Sequence, residues 1–184
     1  MGEPAIRVFR PNVSEAEAVS LFSRGGLSTA FWRVRCGPLA RIADAYVPFH
    51  LYSVRYRLGP AQHSRLFALD AVDGSLDLFE FPSPPTANEL LDLHTRNQLK
   101  PVLDVLSAEE LLRAKVMRIV FQQGFFKLRN FHVEITREPA GFYIPYWLGF
   151  YGGDGSLRCR VLDAVRRKLE GAKASAFFEQ WLAA

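Results

Sequence analysis

Thiols, imidazoles and long apolar runs are all scarce in this chain. Of its 184 residues, two are cysteine and four are histidine. Cys36 and Cys159 stand in separate apolar, alternating runs, a setting that favours free, buried thiols over a disulfide. His50, His63, His94 and His132 are separated by 13, 31 and 38 positions, which is not the close helical or hairpin spacing of paired metal ligands, so no metal is expected. The longest apolar run, Phe142 to Tyr151, is about half of the ~20 residues that a membrane-crossing helix needs, and it contains Pro145. The first residues show no basic stretch followed by an apolar one. These features lead to the expectation of a cytoplasmic protein with no membrane partner.

Motifs of catalysis are missing as well. There is no Gly-x-Ser-x-Gly elbow, and neither cysteine has the flanking sequence of a thiol nucleophile. Gly152-Gly153-Asp154-Gly155 lacks both the third glycine of a dinucleotide loop and the Lys-Ser/Thr of a phosphate loop, and reads as a hairpin turn, so no cofactor is expected. Basic residues exceed acidic ones by only 23 to 19, a net charge of +4 without dense Lys/Arg runs, which argues against nucleic acid as the partner.

What the chain has in quantity is core material, with 49% hydrophobic and 13% aromatic residues. A chain of ~150 residues buries ~70% of its unfolded surface, so one domain or two small lobes need no covalent staple. The apolar segments also repeat. Leu69-Asp70-Ala71-Val72 returns as Leu162-Asp163-Ala164-Val165, 93 positions later. Tyr46-Val47-Pro48-Phe49-His50-Leu51 is matched by Tyr143-Ile144-Pro145-Tyr146-Trp147-Leu148, at a spacing of 97. Ser14-x-x-Glu17 and Ser107-x-x-Glu110 both read as capping boxes, where Ser and Glu satisfy helix N–H groups reciprocally.

Three features in one order predict an internally duplicated α+β fold, each copy a helix followed by antiparallel strands. In the first copy a helix runs from Ser14 towards Gly25-Gly26, and strands are expected near 31–36, 46–57, 65–72 and 75–81, with Asp73-Gly74 as a tight turn. The second copy has a helix with Leu112, Val116, Ile119 and Val120 on one face, closed by Gly124, then strands near 125–136, 142–151 and 156–162. A C-terminal amphipathic helix carrying Phe177, Phe178 and Trp181 follows. Between the copies, Pro82-Ser83-Pro84-Pro85 leads to Thr86-x-x-Glu89, expected to cap a short connector helix of Leu90, Leu91 and Leu93. The expected division is a first lobe at 1–81 with its repeat core at 14–81, a connector at 82–106, and a second lobe at 107–184.

The stretch from Tyr52 to Gly74 holds Tyr-x-Val-x-Tyr, a loop and then Leu-Phe-Ala-Leu-Asp-Ala-Val-Asp-Gly. It resembles the PepSY-type half-domains, whose hairpins close on a similar turn. The resemblance covers about 30 residues of the first copy and fewer of the second, where Arg166 and Arg167 occupy the turn. It implies small helix-plus-sheet lobes used for binding or inhibition, without a cofactor.

Three groups of residues are candidates for function. Arg33 and Arg35, Arg55 and Arg57, and Arg158 and Arg160 each stand at i and i+2, which on a strand places each pair on one face. The planar guanidinium suits phosphate or carboxylate, so these pairs suggest an anionic ligand or a protein partner, with nucleic-acid binding through the same strands as a weaker alternative; the plainer reading is a solvated outer face balanced by Asp77, Glu80 and Glu134. Tyr46, Phe49, Tyr143, Tyr146 and Trp147 cluster about the two Tyr-x-Pro segments, as a core or, if exposed, as a recognition or homodimer surface. His50, Asp70, His132 and Asp163 would line a pocket in the alternative reading of a small enzyme or ligand carrier. The favoured expectation is a non-catalytic binding or accessory protein.

Overall fold

The two Tyr-x-Pro segments each lie within a long extended strand. The structure, a computed structural model, describes residues 5–24, 26–58, 60–122, 132–152 and 158–183. Its elements in order are β1 (Ile6–Phe9), α1 (Glu15–Arg24), α2 (Gly26–Cys36), β2 (Leu39–Leu58), β3 (Ala61–Asp70), β4 (Phe79–Phe81), β5 (Leu90–Leu93), α3 (Val105–Gln122), β6 (Val133–Tyr151), β7 (Arg158–Asp163), β8 (Lys168–Leu169) and α4 (Ala172–Ala183). The fold is α+β with a mixed sheet. Two compact units divide the chain: unit 1 is Met1–Val47, Leu91–Leu99 and Tyr143–Ala184, and unit 2 is Pro48–Leu90 and Lys100–Phe142.

In unit 1, β7 pairs antiparallel with β6 from Tyr146↔Asp163 to Tyr151↔Arg158, and β1 joins β6 in parallel at Val8↔Tyr143. Helix α1 starts at a capping box: the Ser14 N–H donates to Glu17 Oε2 at 2.9 Å and the Glu17 N–H donates to Ser14 Oγ at 3.4 Å. Its buried residues Ala18 and Phe22, one turn apart, enter a core with Val13, Tyr151, Leu162 and Ala164. A Cβ at Gly149 would stand 2.9 Å from the Phe22 ring, so the absence of a side chain there admits the aromatic. Helix α4 adds Ala174, Phe177 and Phe178 to the buried set, with the Phe178 ring 5.4 Å from that of Tyr146.

In unit 2, β2 and β3 form an antiparallel hairpin from Phe49↔Asp70 to Leu58↔Ala61, and β4 extends it from β3. Helix α3 buries Ala108, Leu112, Val116 and Val120, spaced at i, i+4, i+8 and i+12, against Tyr52, Val54, Phe67 and Leu69. Full burial of each Leu or Val contributes roughly 1.5–3 kcal/mol, which outweighs the small propensity cost of valine in a helix.

Each Tyr-x-Pro segment accepts a backbone hydrogen bond from the alanine that follows an aspartate. Ala71 donates its backbone N–H to the Pro48 carbonyl at 2.8 Å, and Ala164 donates to that of Pro145 at 3.1 Å. The chain entering each helix then binds the same alanine: Asn12 N–H donates to the Ala164 carbonyl at 2.7 Å, and Val102 N–H to that of Ala71 at 2.8 Å. Thus α1 packs with the β6–β7 hairpin and α3 with the β2–β3 hairpin.

Several expected elements differ. Residues 31–36 are not a strand but the end of α2, because Thr29, Trp32 and Cys36 turn inward at i, i+3 and i+7, a helical spacing. The capping bonds of Thr86 and Glu89 are present, at 2.8 Å from the Thr86 N–H to Glu89 Oε2, yet Leu90–Leu93 is strand β5 and there is no connector helix. Ser107 is not the cap of α3. Its own N–H donates to Asp104 Oδ1 at 3.0 Å, so the helix begins one turn earlier. Only Phe79–Phe81 of the expected strand at 75–81 is extended, because Asp70 folds the preceding residues around its carboxylate. The expected helix end at Gly124, most of the strand at 125–136, and the Gly153-Asp154-Gly155 part of the second hairpin turn lie outside the described residues.

Candidate functional site

Inward-facing residues of α2 carry the site in unit 1. Trp32 lies with its ring centroid 5.7 Å from that of Tyr151, whose hydroxyl donates to the Phe22 carbonyl at 2.7 Å. Arg160 of β7 is buried, and its Nη1 donates to Thr29 Oγ1 at 2.7 Å with the guanidinium 5.8 Å from the Trp32 ring centroid. Burial pushes the Tyr151 hydroxyl pKa up, and the bond from Arg160 opposes that rise. These contacts fix the wall of a cleft of about 300 Å³ lined by Phe31, Trp32, Arg35 and Cys36 of α2, Arg158 of β7, and Glu179 of α4. A second hollow of about 470 Å³ shares Arg158 and Glu179 and continues along α4 to Arg41, Phe150 and Leu182. Arg41 lies over the Phe150 ring at 4.9 Å.

The chemistry of this cleft is aromatic and cationic. Arg35 and Arg158 are exposed and share the first hollow with two aromatic rings. Glu179 Oε1 accepts the Cys159 backbone N–H at 3.1 Å, which occupies one carboxylate oxygen in holding β7. The Cys159 thiol is pushed up to about 12, first by burial and then by Glu179, so it stays protonated and unreactive. Both cysteines are free.

The expected arginine pairs separate in the structure. Arg33 and Arg35 sit on a helix, where i and i+2 do not share a face, and only Arg35 reaches the cleft. Arg158 lines the cleft while Arg160 is core. In unit 2, Arg55 and Arg57 both remain exposed on β2 and border a shallow groove of about 370 Å³ with His132. Glu134 accompanies them, with Arg55 Nη2 at 3.2 Å from its Oε2 and His132 Nε2 at 4.0 Å from its Oε1. Of the other balancing acids, Glu80 pairs with Arg65 at 3.1 Å.

The two aspartates are structural in geometry. Asp70 Oδ1 accepts the N–H groups of Val72, Asp73 and Gly74, and its Oδ2 accepts that of Leu76 at 2.9 Å. Asp163 Oδ1 accepts those of Val165 and Arg166 at 2.9 and 2.8 Å, while Oδ2 has no hydrogen-bond partner and lies 3.7 Å from Arg166 Nε. Burial is the larger influence on both carboxyls and raises each above 3.8, against the lowering effect of the N–H donors. His50 is half-buried with Arg137 Nη2 at 3.0 Å from Nε2, and burial first, then the guanidinium, lowers its pKa. Among the aromatics, Phe49 and Tyr146 are buried, and Trp147 Nε1 donates to the Val13 carbonyl at 3.0 Å. Tyr46 is partly buried and donates to Asp44 Oδ2 at 2.8 Å, and Tyr143 is also partly buried.

Sequence reasoning missed Phe31 and Trp32, because residues 31–36 read as a strand, and Glu179, because only packing brings α4 beside β7. The usable signal was the 3–4 spacing of Thr29, Trp32 and Cys36. Among the described residues no group of three or more His, Cys, Asp and Glu is placed to hold a metal, and no helix is long and apolar enough to cross a membrane. No family model matches the chain, and neither a curated protein nor a solved structure matches it.

Proposed function

We propose that this chain is a non-catalytic binding protein whose ligand is a small organic anion with an apolar body, held in the unit 1 cleft. The observation that carries this reading is that Arg35 and Arg158 line the same cleft of about 300 Å³ as Phe31 and Trp32. Two guanidinium groups supply bidentate donors for a carboxylate, sulfonate or phosphate. The two rings take the apolar part, and the cleft's size matches ligand pockets of ~300–1,000 Å³. The PepSY-like stretch, for which binding or inhibition is the implied role, agrees with this reading. The matching hydrogen bonds at Pro48 and Pro145 support an internal duplication, in which each helix packs on the hairpin of the other copy.

Calorimetric titration with 1-naphthalenesulfonate and, separately, with the uncharged 1-naphthalenemethanol tests the reading. The sulfonate binds and the alcohol binds at least ten-fold more weakly. R158Q and R35Q each weaken sulfonate binding without moving the melting temperature. Equal binding of both compounds, or sulfonate binding indifferent to both substitutions, overturns it.

A further inference from the structure

Helix α2 is apolar on the side that faces away from its own core. Thr29, Trp32 and Cys36 face inward, while Leu27, Phe31 and Val34 recur at i, i+4 and i+7 with 92%, 61% and 89% of their surface exposed. A lone exposed leucine is ordinary, but three large side chains aligned on one ridge are a patch that calls for an occupant. At about 100° per residue, Arg33 and Arg35 fall on opposite flanks of that ridge. The helix GLSTAFWRVRC holds no acidic residue, and Arg24 closes α1 just before it.

We infer that α2 seats the protein on an anionic bilayer surface, with Leu27, Phe31 and Val34 entering the headgroup–acyl boundary and Arg33 and Arg35 meeting lipid phosphates and carboxylates. Charge complementarity selects this occupant, because both flanks of the ridge are cationic and nothing on the helix offsets them. Such a helix lies in the plane of the interface and needs no membrane span. Each arginine near an anionic surface contributes ~1 kcal/mol, about five-fold in partitioning. The ridge shares Phe31 and Arg35 with the cleft, whereas Leu27 and Val34 do not line it, so substitution of those two separates the surfaces.

Co-sedimentation of the full chain with vesicles of phosphatidylcholine alone and of phosphatidylcholine mixed with phosphatidylserine tests it. The chain pellets with the mixed vesicles and not with the neutral ones, and binding falls as salt rises. L27S/V34S lowers the partition coefficient at least ten-fold, and R33Q/R35Q lowers it roughly 25-fold, the product of two five-fold losses. Because all four side chains are exposed, circular dichroism melts of both variants match the parent. No binding to the mixed vesicles overturns the inference, as does binding unchanged by L27S/V34S. A parent that is dimeric in solution and made monomeric by L27S/V34S also overturns it, in favour of a second copy on the ridge. Naphthalenesulfonate binding that survives L27S/V34S keeps the cleft reading separate from either result.

Discussion

Arg160 donates from Nη1 to Thr29 Oγ1 at 2.7 Å, a bond that ties strand β7 to helix α2 within buried surroundings. Thr29 also donates to the Leu21 carbonyl at 3.3 Å, so one threonine hydroxyl links three elements. Thr29→Val removes one hydrogen bond from the guanidinium and one from the carbonyl, at a cost of about 1–3 kcal/mol. Arg160→Met removes the charge as well as the donor, and R160M/T29V loses less than the sum of the single changes because both remove one bond. Chemical denaturation of the four proteins reads the coupling directly.

Asp70 and Asp163 occupy matching turns but respond differently to amidation. Both oxygens of Asp70 accept backbone N–H groups, so Asp70→Asn sets an amide NH₂ against the Leu76 N–H and costs about 1–3 kcal/mol. Asp163 accepts backbone N–H groups at Oδ1 alone, and its Oδ2 meets only the Arg166 guanidinium at 3.7 Å, so Asp163→Asn costs under about 1 kcal/mol. Equal losses in urea melts at neutral pH would contradict this.

The pH dependence of the same pair follows from the raised carboxyl of Asp163. Folded, it holds its proton more tightly than the unfolded group does at 3.8, so this contribution favours the folded state below that value and is lost as pH rises through the folded pKa. The parent therefore loses stability relative to Asp163→Asn as pH climbs from 3.8 through the folded value. Denaturation midpoints of both proteins across that window show the difference growing and then levelling off.

Gly149→Ala places a methyl 2.9 Å from the ring of Phe22, which is fully buried and packed edge-on to Tyr151. The backbone cannot yield there without moving β6, so the change costs about 1–3 kcal/mol. Phe22→Leu in the same chain recovers part of the loss, because the smaller side chain vacates the space. A thermal melt in which G149A/F22L is less stable than both single variants would refute the clash.

Removal of residues 172–184 strips Phe177 and Phe178 from unit 1. At ~25 cal/mol per Å² and ~150–250 Å² per ring, the two rings are worth roughly 7.5–12.5 kcal/mol, comparable with a domain's whole stability. The truncated chain is expected to be insoluble or to melt far below the parent. A soluble product with an unchanged melting temperature would mean that α4 is detachable.

Local chemistry was enough to determine the α+β composition, the start of α1 at Ser14 and Glu17, the apolar face of α3, and the turns that follow Asp70 and Asp163. Each depends on residues within a few positions of one another, so spacing carries the information. At α2 the local pattern favoured the wrong period. Trp32-Arg33-Val34-Arg35-Cys36 alternates like a strand, yet the segment folds as a helix because Thr29, Trp32 and Cys36 find partners at Arg160, Tyr151 and the unit 1 core. Arg160 and Tyr151 lie more than 100 residues away in sequence, and no local signal encodes their approach. The cleft follows from the same choice. Arg35 and Arg158 share it only because α2 is helical and β7 runs beside it, while Arg160, two residues from Arg158, is drawn into the core. Composition determined that arginines and aromatics would be plentiful, and long-range packing decided which of them meet.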